Sequence, residues 1–222
     1  HRGFETITYM LEGHMRHEDH LGNVGELTQG GVQWMIAGKG VIHSEMPQQK
    51  EGRMYGFQLW LNLPAKDKMQ PAGYRDYDAA EIPEAELAEG IRVRVIAGEF
   101  NSPELTLKGA VQRPVTEPQL YDLHIDQHGE QRFSLPEGHR VLLYAYKGDV
   151  LVGDEKKVIK SGELGWLSEA GDVLISTEVA ASVLVVAGRP LNEPIAHYGP
   201  FVMNTPEEIQ QAIRDYQNNQ LV

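Results

Sequence analysis

The sequence predicts an all-β fold of two antiparallel β-barrel or jelly-roll domains, followed by a short C-terminal helix. The prediction depends on short β-rich runs separated by glycines, a change of composition near residue 80, and a helix-start signature near the C-terminus. Glycines supply the positive φ angles that tight turns need, and 23 of them occur in 222 residues. The β-rich runs are 6–11, 32–37, 56–63, 91–97, 141–146 and 183–187.

A connector separates the two predicted domains. Residues 79–90 are acidic and rich in alanine, with one proline, which is typical of an inter-domain segment that can contain a helical turn. We therefore expect a first barrel over 1–78 and a second barrel, together with the helix, over 91–222.

The C-terminal helix is predicted over about 206–218. Thr205 can cap it, Pro206 suits its first position, and Glu208 completes a capping box. Apolar residues then recur at helical spacing, so one face of the helix should dock on the barrels. These apolar residues are Ile209, Ala212, Ile213 and Tyr216.

Composition limits the function classes. With 20 basic and 32 acidic residues, the net charge of −12 argues against binding to nucleic acid or to anionic membrane surfaces. No run approaches the roughly 18 to 20 apolar residues of a membrane-spanning helix. The chain has no cysteine, which fits a reducing compartment, and we expect a cytoplasmic protein. It begins with His1 rather than Met, so we expect a segment to precede it.

A candidate metal site follows the glycine turn at 38–40. His43 and Glu45 are two residues apart on a predicted strand, so their side chains point to the same face. An imidazole and a carboxylate are costly to bury together, and a divalent cation would offset that cost. A surface strand with exposed polar residues is the alternative. His1 precedes another apolar strand and would add a second imidazole, giving two histidines and one carboxylate, as in non-haem iron sites.

The segment 1–13, His-Arg-Gly-Phe-Glu-Thr-Ile-Thr-Tyr-Met-Leu-Glu-Gly, resembles the first metal motif of the pirin family, within the cupin superfamily. Three further segments are similar to pirins, so the resemblance covers the chain from end to end. They are 33–47, 58–63 and 197–205. The resemblance implies a bicupin fold, in which two cupin barrels follow one another.

The resemblance also implies a ligand set. It places metal ligands at His1, His43 and Glu45, and a fourth at a histidine two residues upstream of His1, outside this sequence. Glu5 matches the carboxylate of the general cupin motif, but pirins take theirs at the position of Glu45. We therefore expect Glu5 to support the ligands rather than to bind metal.

The other histidines and the tryptophans are expected to be structural. The second barrel lacks a comparable histidine pair, because neither His139 nor the segment 124–128 reproduces the spacing, and it should bind no metal. His14, His17 and His20 lie among acidic residues near a predicted turn and are expected to be solvated. Trp34, Trp60 and Trp166 are expected in the barrel cores.

The resemblance implies a function as well. Pirins typically bind iron, as Fe(II) or Fe(III), and several have quercetin 2,3-dioxygenase activity, which cleaves a flavonol with molecular oxygen and releases carbon monoxide. Manganese, nickel, copper, cobalt and zinc are alternative metals. Glu45 would act both as ligand and as catalytic proton acceptor. The alternatives are a non-catalytic metal or redox sensor that binds a transcription regulator or a metabolic enzyme, and a metal-free structural protein.

Overall fold

The structure is a computed structural model that describes residues 1–167 and 171–222. Its contacts divide the chain into two compact units, His1–Glu81 with Leu191–Val222, and Ile82–Pro190. Strands account for nearly all of the regular structure in both. The strands that open the first unit are β1 (Phe4–Glu12), β2 (His14–Asp19), β3 (Val24–Thr28), β4 (Val32–Ile36), β5 (His43–Pro47), β6 (Tyr55–Asn62) and β7 (Gly73–Tyr77).

These seven strands form two antiparallel sheets, with the orders β6-β1-β4-β7 and β3-β2-β5. The central strand β1 is almost wholly buried, and polar and apolar side chains share both of its faces, with Glu5 beside Ile7 on one and Thr8 beside Thr6 on the other. Its register places Thr8 opposite Gln58 on β6. On the smaller sheet, His17 of β2 lies opposite Glu45 of β5. These two registers bring the polar side chains of the first unit together.

The second unit consists of two six-stranded antiparallel sheets around one apolar core. The sheet orders are β11-β10-β13-β18-β15-β16 and β17-β14-β19-β12-β9-β8. Alternate residues of β12, such as Tyr121 and Leu123, point into this core. The strands are β8 (Glu84–Ala88), β9 (Ile91–Ala97), β10 (Glu99–Asn101), β11 (Thr106–Lys108), β12 (Gln119–Ile125), β13 (Gly129–Ser134), β14 (Arg140–Lys147), β15 (Val150–Val152), β16 (Lys157–Ile159), β17 (Leu164–Trp166), β18 (Asp172–Thr177) and β19 (Ala181–Gly188).

The C-terminal segment belongs to the first unit. It contains β20 (Ala196–Tyr198), β21 (Phe201–Met203) and the helix α1 (Pro206–Gln217). The predicted capping box is present, since the Thr205 side chain accepts a hydrogen bond from the backbone N–H of Glu208. Lys68, which is almost fully buried, donates from Nζ to the Gly3 and Val202 carbonyl oxygens at 2.8 Å each, tying the segment to the residues that precede β1.

The six predicted strands and the helix are confirmed. Three expectations differ from the structure. Residues 79–90, expected to be a connector, contain β8, which pairs with β9 in the second unit. The helix, expected with the second barrel, packs in the first unit. Trp34 is buried as predicted, but the prediction was wrong for Trp60 and Trp166, which are 44% and 67% exposed, the latter on an edge strand. No helix of the described residues is long and apolar enough to cross a membrane.

Candidate metal centre

His43 and Glu45 lie side by side on β5, as their spacing predicts. The distance between His43 Nδ1 and Glu45 Oε1 is 4.0 Å, and both side chains are largely buried. Burial, followed by the neighbouring His17, lowers the pKa of the His43 imidazole to about 4. The ring is therefore neutral at pH 7, and a neutral imidazole is the form that binds a metal ion.

Gln58 on β6 holds the Glu45 carboxylate. Its Nε2 donates to both carboxylate oxygens, at 3.1 and 2.9 Å, and also contacts Thr8 Oγ1 at 3.1 Å. Gln58 pairs with Thr8 within one sheet and reaches Glu45 on the other, so its side chain connects the two sheets of the first unit. Hydrogen bonds of this kind fix the orientation of a metal-binding carboxylate.

His1 lies against the same histidine. Its ring centroid is 4.9 Å from that of His43, and its backbone carbonyl accepts a hydrogen bond from Val41 N–H at 3.0 Å. Phe4 and Trp60 pack edge-on against the His1 ring, with centroids at 5.2 and 5.5 Å. Its Nδ1 is buried and has no hydrogen-bond partner among the described residues. The structure thus brings all three predicted ligands into one region.

His17 is the residue that sequence reasoning missed. The expectation that it is solvated is wrong, because its side chain on β2 is fully buried. Its Nδ1 lies 3.5 Å from His43 Nδ1. One ligand atom from each of His17, His43 and Glu45 lies within 4.8 Å of the others. The alternation of buried Met15 and His17 with exposed Arg16 was the available signal.

The neighbouring histidines do not reach this cluster. His14 is partly exposed, and its Nε2 lies 2.6 Å from Glu26 Oε2. His20 is exposed, and its Nδ1 accepts a hydrogen bond from the Ile42 N–H at 3.4 Å. The expectation of solvent contact is therefore correct for these two residues.

Glu5 points away from the cluster. It is fully buried on β1, and its Oε2 accepts a hydrogen bond from Trp34 Nε1 at 2.6 Å. Because side chains alternate along a strand, Glu5 lies on the face opposite Thr8, which contacts Gln58. Its carboxylate accepts a hydrogen bond from the Trp34 indole and does not support the proposed metal ligands.

The remaining donors fit a transition metal. The imidazoles of His17 and His43 lie together with the Glu45 carboxylate, and the His1 ring lies beside that of His43. A set of imidazoles with one carboxylate suits iron and its first-row neighbours better than it suits calcium or magnesium, which prefer oxygen alone.

A cavity of about 340 Å³ opens beside His1 and His43. Its other walls are mostly apolar and come from the loop before β5 and from the C-terminal segment. They are Val41, Ile42, Pro200, Phe201, Tyr216 and Leu221. A cavity with apolar walls and two imidazoles on one side can accept a flat organic molecule.

Comparison with known proteins identifies the family. The family model described as Pirin matches residues 1–61, and the one described as Pirin C-terminal cupin domain matches residues 120–222. A Pseudomonas aeruginosa protein named "Putative quercetin 2,3-dioxygenase PA3240" is 58% identical over 222 residues, covering 100% of this chain and 78% of that protein. This chain belongs to the pirin family.

Two further relatives agree with this assignment. Mouse pirin is 40% identical over 224 residues, covering 98% of this pirin and 74% of the mouse protein. A crystal structure of a quercetin 2,3-dioxygenase from Acinetobacter baumannii superimposes with a TM-score of 0.89 at 37% identity, covering 100% of this pirin and 77% of that chain. The predicted bicupin fold is confirmed.

Proposed function

We propose that this pirin is an iron-dependent dioxygenase of the quercetin 2,3-dioxygenase type, acting on flavonols with molecular oxygen. The observation that carries the proposal is the convergence of His43 and Glu45 with further imidazoles beside an apolar cavity. Relatives named as quercetin 2,3-dioxygenases support the substrate class. His1, His43 and Glu45 are the proposed ligands.

The ligands would hold iron, although the same donors also suit manganese, cobalt, nickel, copper or zinc. When bound, the metal supplies Lewis acidity toward the deprotonated flavonol and its oxygen co-substrate. The chain contributes the orientation of the ligands. Gln58 holds the Glu45 carboxylate, and Phe4 and Trp60 pack against the His1 ring.

Substrate binding is assigned to the cavity beside His1 and His43. Its apolar walls, including Ile42 and Phe201, favour a flat aromatic molecule over a charged or highly polar one. A flavonol bound there would place its oxygen substituents toward the two imidazoles.

Glu45 is the proposed proton acceptor. Its carboxylate is 22% exposed, so it is reached from solvent and still lies 4.0 Å from His43. A carboxylate in this position can take the proton of the flavonol hydroxyl as the substrate binds. The Gln58 amide donates to both oxygens and so keeps the carboxylate oriented.

Oxygen uptake and carbon monoxide release, measured with quercetin on the iron-loaded full chain, test this proposal. Glu45→Gln keeps the size of the side chain but removes its basicity, and we expect the rate to fall by about 10²-fold or more. Glu12→Gln is the matched control, because Glu12 is exposed and pairs with Arg53. It should leave the rate unchanged.

The oxygen-uptake assay can also refute the proposal. If the iron-loaded chain consumes no oxygen with any flavonol, the dioxygenase proposal is wrong. The sensor hypothesis would then be tested by comparing which proteins the iron-loaded and metal-free chains retain.

A further inference from the structure

A second cavity lies in the first unit, between β20 and the helix α1, and has a volume of about 530 Å³. Among the described residues, none lines both this cavity and the one beside His1 and His43. Its size falls within the range of about 300–1,000 Å³ that small organic ligands occupy in proteins. The proposed dioxygenase reaction leaves this cavity without a role.

The walls of this cavity are mainly apolar. The helix contributes Ile209 and Ile213, which are four residues apart and therefore lie on one face. On the side of β20, the cavity is lined by Ile195 and Tyr198, which are 68% and 65% exposed. Large apolar side chains that stay exposed together around one cavity are typical of a binding surface. A flat apolar molecule that covers them would remove their surface from water.

His197 supplies an oriented polar group among these apolar walls. Its Nε2 lies 3.0 Å from the Gly199 carbonyl oxygen, which can only accept, so Nε2 carries a proton. In the neutral imidazole, the other nitrogen, Nδ1, is then an acceptor. The Trp60 ring packs edge-on against the His197 ring, with centroids 5.8 Å apart, and helps to fix its plane. The imidazole can therefore accept a hydrogen bond from a ligand hydroxyl.

The charges around this cavity favour a neutral ligand. None of its described lining residues is Lys, Arg, Asp or Glu, so neither an anion nor a cation finds a partner of opposite charge there. The lining residue Asn204 donates from Nδ2 to Glu193 Oε2 at 3.0 Å, which places a negative charge beside the cavity. The net charge of −12 also repels anions. Carboxylates, sulfates and phosphates are therefore disfavoured.

We propose that this cavity binds a neutral planar phenol, whose ring packs against Ile195 and Tyr198 and whose hydroxyl donates to His197 Nδ1. An aromatic ring suits Tyr198 because two rings gain from offset stacking beyond the area that they bury. This site is separate from the metal centre, and it stands whether or not the proposed dioxygenase activity is found.

Calorimetric titration of the full chain with 2-naphthol, without added metal, tests the site. This phenol is neutral at pH 7, because phenols ionise near pH 10. Ile195→Glu removes apolar contact and places a charge at the cavity, and we expect it to weaken binding by about tenfold or more. Val179→Glu is the matched control, because Val179 is 57% exposed and belongs to the second unit. It should leave the affinity unchanged. Absence of 2-naphthol binding to the unaltered chain would overturn the inference.

A further variant distinguishes the two cavities. Ile42→Glu alters the cavity beside His43 and should leave the affinity for 2-naphthol unchanged. If Ile42→Glu abolishes binding while Ile195→Glu does not, the phenol occupies the cavity beside His43, and the inference is wrong.

The role of His197 is tested with a pair of ligands. His197→Phe keeps an aromatic ring but removes the acceptor, so 2-naphthol should bind it about three- to tenfold more weakly. The compound 2-methoxynaphthalene has no hydroxyl to donate and should bind both chains equally. Equal affinities of 2-naphthol for the two chains would refute the assignment of its hydroxyl to His197.

Sedimentation distinguishes a small ligand from a second copy of the chain. We expect the unaltered chain and Ile195→Glu to have the same mass at each concentration. A mass that decreases in Ile195→Glu alone would show that a second copy covers the cavity, and this result would overturn the proposal.

Discussion

Arg2 connects the residues before β1, which include His1, to the C-terminal segment, and its replacement is the perturbation whose effect follows most directly from the structure. Its side chain is 5% exposed. Nη1 lies 2.6 Å from Asp215 Oδ2 of α1, Nη2 donates to the Leu221 carbonyl at 3.4 Å, and Nε donates to the Lys39 carbonyl. One guanidinium thus joins three segments next to His1.

Arg2→Met keeps much of the buried volume and removes all three polar contacts. Breaking a buried ion pair by removing one partner costs about 3–5 kcal/mol. Because Asp215 retains 18% exposure, water can partly solvate the remaining carboxylate. We therefore expect the free energy of unfolding to fall by about 2–4 kcal/mol.

The same variant should weaken the metal centre. Residues that orient ligands typically contribute 10–100-fold to metal affinity, and Arg2 follows His1 directly in the chain, so we expect a loss of about tenfold. Urea unfolding of the metal-free chain measures the stability, and competition with a chelator measures the affinity.

Arg53→Met is the control, because Arg53 is exposed and its pair with Glu12 is solvated. It should change neither the stability nor the affinity. The reasoning is refuted if Arg2→Met unfolds at the same urea concentration as the unaltered chain and binds metal equally well.

Hydrogen bonding to Arg2 also lowers the pKa of the Asp215 carboxyl in the folded chain. As the pH falls toward that pKa, the Arg2→Met variant should therefore lose less stability than the unaltered chain.

Three further predictions concern stability. Burial lowers the pKa of Lys68 from 10.5 to about 8. Between these two pH values the unfolded chain binds more protons than the folded chain, so the free energy of unfolding should rise with pH. After allowance for solvent screening, we expect a rise of about 1–2 kcal/mol from pH 8 to 10. Urea midpoints should show this rise for the unaltered chain and not for Lys68→Met. Thr205→Ala removes the helix cap and should cost about 1 kcal/mol in thermal unfolding, and an unchanged midpoint would contradict the role of the cap. Leu143→Ala opens a cavity in the core of the second unit and should cost about 2–5 kcal/mol while the Co(II) spectrum of the folded chain stays the same. A changed spectrum would contradict the assignment of the metal ligands to the first unit.

Local patterns were sufficient to predict part of the site. The two-residue spacing of His43 and Glu45 on a strand places both side chains on one face, whatever the rest of the fold does. The capping signature of Thr205 and Glu208 likewise specifies a helix start from four residues. Such features depend on near neighbours in the chain, and the sequence displays them directly.

Features that depend on distant pairing could not be read in the same way. His17 lies among charged residues, which favours a solvated side chain, but its burial follows from the pairing of β2 with β3 and β5. The apolar face of α1 predicts that the helix docks on the rest of the chain. Its sequence does not indicate that it pairs with Arg2 and packs against β21. Trp60 was assigned to a core because of its residue type, whereas its position near the end of β6 leaves it partly exposed.

Metal content tests the central claim most directly. The full chain would be purified without chelator, and its metal would be quantified by mass spectrometry beside a His43→Ala, Glu45→Ala double variant. We expect about one transition-metal ion per unaltered chain and almost none in the variant, because the variant loses an imidazole and the carboxylate of the centre. The account is contradicted if both chains carry the same amount of metal, or if the unaltered chain carries none.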